Sequence, residues 1–122
     1  HNGDLYPCDH FVYPEYLLGN IRETDIKTLM QSQKQTDFGL DKRSALPTKC
    51  ARCKHLFVCN GECPKHRFNR TENGETGLNA LCMGYFKFFD HVAPYMDTMK
   101  SLLQEKRAPA EIMPMIKLGL IR

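Results

Sequence analysis

Four of the six cysteines in this chain fall within a short segment, and their spacing constrains the fold more than any other feature. The segment follows the pattern C-x2-C-x5-C-x3-C and contains Cys50, Cys53, Cys59 and Cys63. A disulfide needs Cα atoms about 4.4–6.8 Å apart in a defined orientation, so thiols this dense cannot each find a separate partner without strain. Several cysteine sulfurs that point to one place can instead bind a soft metal ion or an iron–sulfur cluster. The sequence therefore predicts a metal or iron–sulfur site, with the rest of the chain packed around it.

Length and charge indicate one small domain. The chain has 122 residues, 42% of them hydrophobic, and a formal net charge of +3. Its basic residues form no run or stripe, which argues against binding to nucleic acid. No apolar run approaches the ~18 residues that a membrane span needs. We therefore expect a single domain over residues 1–122, a monomer, with neither nucleic acid nor a membrane as its partner.

The first residues, His1-Asn2-Gly3-Asp4, have neither an initiating methionine nor the apolar core of a signal peptide. We interpret the chain as a piece excised from a longer protein. Without an export signal, six cysteines favour a reducing compartment, the cytoplasm, and ligation over disulfides.

The order of apolar and turn residues predicts an α+β fold that begins with a small hairpin. The hairpin covers residues 3–21 and has Cys8 near its tip. Residues 24–46 should be helical, with Thr24 as the N-cap of a helix over 24–36. A break at Phe38-Gly39-Leu40 should end that helix.

The second half predicts an irregular centre followed by helices, so that about a third of the chain is helical and few residues lie in strands. Residues 48–78 have little periodicity and many turn residues, as a Cys-rich loop around a metal would. Residues 79–118 return to a helical pattern, which we expect Pro94 to divide into helices over 80–92 and 94–107. A short turn or helix should follow at 110–118.

The chemistry of the cysteines leaves two metal types open. A zinc site needs four thiolates, which Cys50, Cys53 and Cys59 could complete with either Cys63 or Cys82. The gaps of five and three residues between the later cysteines differ from the two C-x2-C pairs that bind zinc in ribbon-type sites. Two four-iron–four-sulfur clusters would use every cysteine but need eight ligands, two more than the chain supplies.

The full cysteine pattern resembles the SPASM domain, the C-terminal auxiliary-cluster module of certain radical S-adenosylmethionine (radical SAM) enzymes. The resemblance rests on Gly3-x4-Cys8, the C-x2-C-x5-C-x3-C segment and Cys82 after a gap, and it spans nearly the whole chain. The flanking sequences Tyr6-Pro7-Cys8-Asp9, Leu18-Gly19-Asn20-Ile21 and Met83–His91 are similar to anaerobic sulfatase-maturating enzymes. These enzymes oxidise a sulfatase cysteine or serine to Cα-formylglycine.

The resemblance implies a ligand for each cysteine. The outer cluster, auxiliary cluster II, would be bound by Cys50, Cys53, Cys59 and Cys82. Auxiliary cluster I, nearer the substrate, would be bound by Cys8 and Cys63, with its other two ligands upstream of His1. Auxiliary cluster I would pass the substrate electron outward, and auxiliary cluster II would relay it or stabilise the fold.

The resemblance also implies what this chain lacks. S-adenosylmethionine and the four-iron–four-sulfur cluster that cleaves it would be bound by a C-x3-C-x2-C motif, which is absent here and belongs to an N-terminal domain. The isolated chain should therefore be inactive, and it could carry zinc. Its partners would be the radical SAM barrel domain and an unfolded sulfatase peptide.

Asp9 follows a predicted ligand directly, so its carboxylate should stay near the cluster. The resemblance implies that it is the general base, which accepts the thiol or hydroxyl proton of the substrate. An ordinary aspartate is ionised at neutral pH and can accept a proton within hydrogen-bond reach. The alternative is an aspartate that caps a turn.

The remaining side chains have structural interpretations. His10 could orient Asp9 or contact substrate, although such a residue is more often a solvated histidine. Four cations crowd the cysteine segment, and we favour a solvated face for them over the alternative that they balance the negative charge of a thiolate-bound cluster; they are Lys54, Lys65, Arg67 and Arg70. An aromatic stripe on the later helix should be core that shields the outer cluster; it comprises Tyr85, Phe86, Phe88, Phe89 and Tyr95.

Two other functions stay open. One is a different radical SAM peptide-modifying enzyme that shares the module but not the substrate. The other is a zinc-stabilised binding module without a redox role.

Overall fold

The computed structural model describes residues 2–121, so the two ends of the predicted 1–122 domain lie outside the described residues. The fold is mixed, with 52% helix and 8% strand, which confirms the α+β class but exceeds the predicted helix content. The chain divides into two compact units, one ending at Ala80 and the other beginning at Leu81. Among the described residues, no helix is both long and apolar enough to cross a membrane.

The first unit opens with the expected hairpin, in a shorter form. Strand β1, Asp4–Leu5, pairs antiparallel with β2, Gly19–Asn20. The side-chain amide of Asn20 donates a 3.0 Å hydrogen bond to Oδ1 of Asp4, opposite it in the register. Most of the long connection is irregular and includes a 3-10 helix at Pro14–Tyr16. The connection therefore leaves Cys8 and its neighbours on a loop.

Two helices follow the hairpin, α1 over Ile26–Met30 and α2 over Gln33–Ser44. The predicted N-cap at Thr24 and break at Phe38-Gly39-Leu40 are both wrong. Asp25 caps α1 by accepting a 3.1 Å bond from the Thr28 amide. Ser32 caps α2, so the chain breaks there and helix α2 runs on through Gly39. A serine at an N-cap satisfies an amide that the helix itself leaves unpaired.

The cysteine segment holds more regular structure than a loop. Two short helices come first, α3 at Thr48–Ala51 and α4 at Leu56–Cys59, followed by a 3-10 helix at Pro64–His66. The strands are β3 at Asn69–Arg70 and β4 at Thr76–Leu78. Strands β3 and β4 form a second antiparallel pair. Elements of two to four residues are too short to show a hydrophobic period, so sequence pattern could not reveal them.

In the second unit, α5 runs unbroken over Cys82–Gln104, so the predicted division at Pro94 is wrong. Proline removes one backbone donor, and a helix of this length has enough other bonds to continue past it. After a 3-10 turn at Pro109–Glu111, α6 covers Ile112–Lys117. The buried apolar side chains here are Leu102 and Ile112.

The aromatic stripe of α5 is not the predicted core. Tyr85 stacks on Phe89 at 6.2 Å between ring centroids, and Phe88 contacts Phe89 edge-on at 5.5 Å. Phe88 is nevertheless 57% exposed, and none of the five aromatic residues is fully buried. These rings therefore pack along one helix surface and leave part of it open.

Candidate metal centre

The loop between β1 and β2 places three possible ligand side chains side by side. A tight turn is closed by a 3.1 Å hydrogen bond from the Phe11 amide to the Cys8 carbonyl. Within it, the Cys8 thiol donates to Oδ1 of Asp9 over 3.3 Å. One ligand atom each from Cys8, Asp9 and His10 lie within 4.8 Å of one another. The turn thus groups a soft sulfur, a carboxylate and an imidazole.

Cys63 reaches the same place from the cysteine segment. Its Sγ lies 3.2 Å from Nδ1 of His10, and Lys65 Nζ donates a 3.0 Å bond to the His10 carbonyl. Cys63 immediately precedes the 3-10 helix, which fixes where its side chain leaves the backbone. The structure therefore brings Cys63 to His10, which lies in the same turn as Cys8 and Asp9.

Asp9 is the most open group of this cluster. Its side chain is 88% exposed, and its Oδ2 lies 4.0 Å from Nε2 of His10. The hydrogen bond from Cys8, and secondly the charge of His10, hold the pKa of Asp9 below its ordinary value. The carboxylate is therefore ionised at neutral pH and accessible from outside the chain.

The other cysteines of the first unit lie on consecutive turns. The Cys53 amide donates to the Cys50 carbonyl at 3.1 Å, and the Leu56 amide donates to the Cys53 carbonyl at 3.0 Å. The backbone amide of His55 points at the Cys53 sulfur from 3.4 Å. Cys59 ends α4 one turn later. Each of these three cysteines therefore lies in a turn or a short helix, and their role as ligands of one centre stays a prediction.

Cys82 belongs to the second unit, where it is the first residue of α5. Its role as a fourth ligand beside Cys50, Cys53 and Cys59 stays a prediction.

The Arg67 side chain holds the turn that links Cys59 to Cys63, a role that the sequence did not reveal. Three successive residues, Asn60, Gly61 and Glu62, adopt left-handed backbone with φ of 46°, 72° and 56°. Non-glycine residues pay roughly 1–2 kcal/mol for that conformation. The Arg67 guanidinium binds all three carbonyls at 2.6–3.2 Å and adds a 2.6 Å bond to the Lys42 carbonyl. One side chain thus stabilises a strained turn.

Arg67 also interacts electrostatically with the thiols. Its partial burial lowers the pKa of the guanidinium, and Cys50, Cys63 and Cys59 oppose that change in that order. Three cysteines of the first unit therefore lie within electrostatic range of one arginine. The remaining cations differ, since Arg70 makes a single bond to a turn carbonyl and Lys65 contacts His10.

The donor set fits a soft metal centre. Cys8, Cys53, Cys59 and Cys63 carry free thiols, and all four side chains are half-buried. Thiolates are the ligands of iron–sulfur clusters and of zinc. A half-buried thiol near cations and backbone donors can be stabilised as a thiolate.

Comparison with known proteins favours an iron–sulfur centre over zinc. Residues 1–54 match the SPASM family, described as an iron–sulfur cluster-binding domain. The chain is 55% identical over 121 residues, 99% of its length, to a serine-type anaerobic sulfatase-maturating enzyme of Bacteroides thetaiotaomicron. The chain contains a SPASM domain. The expected family and fold are therefore confirmed.

Other relatives agree with this SPASM assignment. The domain is 31% identical over 76% of its length to a cysteine-type anaerobic sulfatase-maturating enzyme of Clostridium perfringens. It matches the solved structure of native anSMEcpe with bound AdoMet and Cp18Cys peptide with a TM-score of 0.67, 29% identity and 83% coverage. The domain spans 29% and 25% of the two sulfatase-maturating relatives and 27% of the solved chain. It therefore corresponds to less than a third of each.

Proposed function

We propose that this SPASM domain belongs to a radical SAM enzyme that oxidises a sulfatase serine or cysteine to formylglycine. The observation that carries the proposal is the 55% identity to a serine-type enzyme across 99% of the domain. The partners would be the radical SAM barrel domain, which would bind S-adenosylmethionine and its cluster, and an unfolded sulfatase peptide. We expect a monomer in the reducing cytoplasm, where the thiols of the domain stay available to iron.

Each residue of the candidate centre has a proposed role. Cys8 and Cys63 would bind auxiliary cluster I, while Cys50, Cys53, Cys59 and Cys82 would bind auxiliary cluster II. When bound, each of these four-iron–four-sulfur clusters would be able to accept one electron. Arg67 would maintain the turn between Cys59 and Cys63 and balance thiolate charge.

Asp9 would be the general base. Conversion of a serine to an aldehyde removes a hydrogen atom from Cβ, a proton from the hydroxyl and one further electron. S-adenosylmethionine bound by the barrel domain would supply the radical that takes the hydrogen atom, and the auxiliary clusters would accept the electron. A carboxylate oxygen of Asp9 would accept the proton. Its exposure suits this role, because a peptide must reach the carboxylate within about 3 Å for proton transfer.

The test is a maturation assay on the whole enzyme, purified and reconstituted without oxygen. Two sulfatase peptides that differ only in serine or cysteine at the target position are incubated with S-adenosylmethionine and a reductant. We expect the serine peptide to lose two hydrogens by mass spectrometry and to give an aldehyde that reacts with a hydrazine probe. An enzyme that holds all its iron–sulfur clusters and cleaves S-adenosylmethionine but changes neither peptide would contradict the proposal. That result would favour another peptide-modifying activity.

A further inference from the structure

We propose that His10 is a positioning residue that donates an N–H···S hydrogen bond to Cys63 and thereby raises the reduction potential of auxiliary cluster I. The inference rests on the proposed function, because it assumes that Cys8 and Cys63 bind that cluster. It assigns a role to a histidine that the maturation chemistry itself does not use.

The contact has the geometry of a hydrogen bond to sulfur. Nδ1 of His10 lies 3.2 Å from Sγ of Cys63. A sulfur that ligates iron is a thiolate and has no proton to donate. The ring must therefore be the donor, with its proton on Nδ1. Nε2 lies 4.0 Å from the Asp9 carboxylate, too far for a hydrogen bond to fix the proton there instead.

The fold holds the ring at Cys63 without burying it. The His10 side chain is 53% exposed, so packing does not explain its position. Its carbonyl accepts a 3.0 Å bond from Lys65 Nζ, and the same ammonium lies 5.0 Å from the Tyr13 ring centroid. Lys65 is two residues after Cys63 and is anchored by both contacts. The Lys65 side chain therefore holds the backbone of His10 close to the segment that follows Cys63.

A hydrogen bond in this position acts on the redox equilibrium. Reduction adds negative charge to a cluster and its sulfurs, and a donor stabilises that charge more than it stabilises the oxidised form. Hydrogen bonds to the sulfurs are one of the levers that set cluster potentials. Loss of the donor should therefore make the cluster harder to reduce, while its ligands remain in place.

The experiment uses the whole enzyme in a background where the three cysteines of the C-x3-C-x2-C motif are alanine, so that only auxiliary clusters contribute signals. His10→Phe removes the donor, and His10→Asn retains an amide N–H near the position of Nδ1. His66→Phe is the matched control, since His66 lies three residues after Cys63 and its side chain is exposed. The readouts are iron content and an anaerobic redox titration followed by electron paramagnetic resonance.

At the wild-type midpoint, we expect His10→Phe to lower the ratio of reduced to oxidised auxiliary cluster I about tenfold, equivalent to about 59 mV for one electron. His10→Asn and His66→Phe should stay within about threefold of wild type. If His10→Phe loses the cluster, His10→Asn must keep it at the native potential; loss in both overturns the inference. A His10→Phe enzyme with full iron and an unchanged midpoint also overturns it but leaves the proposed function intact. Wild-type enzyme without a cluster at Cys8 and Cys63 overturns both.

Discussion

Replacing Asp9 with asparagine should reduce peptide oxidation by the whole enzyme about 10²–10⁴-fold, the usual contribution of a general base. Asparagine has nearly the same shape and can still accept a hydrogen bond from the turn, but it cannot take the substrate proton. Because Asp9 is 88% exposed and is not needed as a cluster ligand in this proposal, iron content should not change. The rate of formylglycine formation and the iron per protein are measured on the same preparation.

The matched control for this variant is Asp37→Asn, which removes a carboxylate from the exposed surface of α2, where it accepts a bond from Gln33. Its activity should equal that of wild type. If Asp9→Asn keeps full iron and loses less than about tenfold in rate, Asp9 is a turn residue. If iron and activity fall together, the carboxylate supports the cluster and is not the base.

Replacing Arg67 with methionine should destabilise the domain by about 2–4 kcal/mol and deplete iron from both auxiliary clusters. Hydrogen bonds from a charged donor contribute roughly 1.5–3 kcal/mol each, although bonds within one network do not add. Arg67 makes such bonds to four carbonyls, three of them in the left-handed turn between Cys59 and Cys63. Because each of these cysteines is assigned to a different cluster, release of the turn should disturb both.

Urea unfolding and iron analysis after anaerobic reconstitution measure the two effects of Arg67→Met. Arg70→Met is the control, since Arg70 makes one bond to the Gly74 carbonyl on an exposed turn and should cost less than about 1 kcal/mol. Arg67→Lys should behave more like methionine than like arginine, because a point ammonium cannot reach four carbonyls at once. An Arg67→Met enzyme with native stability and full iron content would show that the turn does not depend on Arg67.

The features that the sequence alone could predict are those fixed by short-range chemistry. Cysteine spacing indicates a multi-thiolate centre because ligand geometry demands it, and the place of Asp9 beside Cys8 follows from the covalent chain. The hairpin could also be foreseen from turn residues and apolar runs. Its strands proved short because most of their potential length is taken up by the loop that contains this centre.

The errors share a physical cause, which is competition between local signals. Three residues in this stretch are of types that make good N-caps: Thr24, Asp25 and Ser32. Only the folded chain shows that Asp25 and Ser32 are the ones used. Pro94 is a helix breaker by composition, yet packing of the long helix tolerates it. Propensity alone cannot rank such alternatives, because tertiary contacts decide them.

The residues that the sequence could not identify act over long sequence distances. Arg67 and Arg70 are the same residue type three positions apart, but one binds four carbonyls and the other binds one. His10 gains its contact from Cys63, which lies 53 residues away. No local pattern encodes either arrangement.

Metal analysis shows whether the cysteines bind two four-iron–four-sulfur clusters. The whole enzyme with alanine at the C-x3-C-x2-C cysteines is reconstituted without oxygen, and its iron, sulfide and zinc are counted per protein. We expect about eight iron and about eight acid-labile sulfide per protein, with almost no zinc. One zinc per protein, with neither iron nor sulfide above background, would contradict this expectation and identify a zinc-stabilised module.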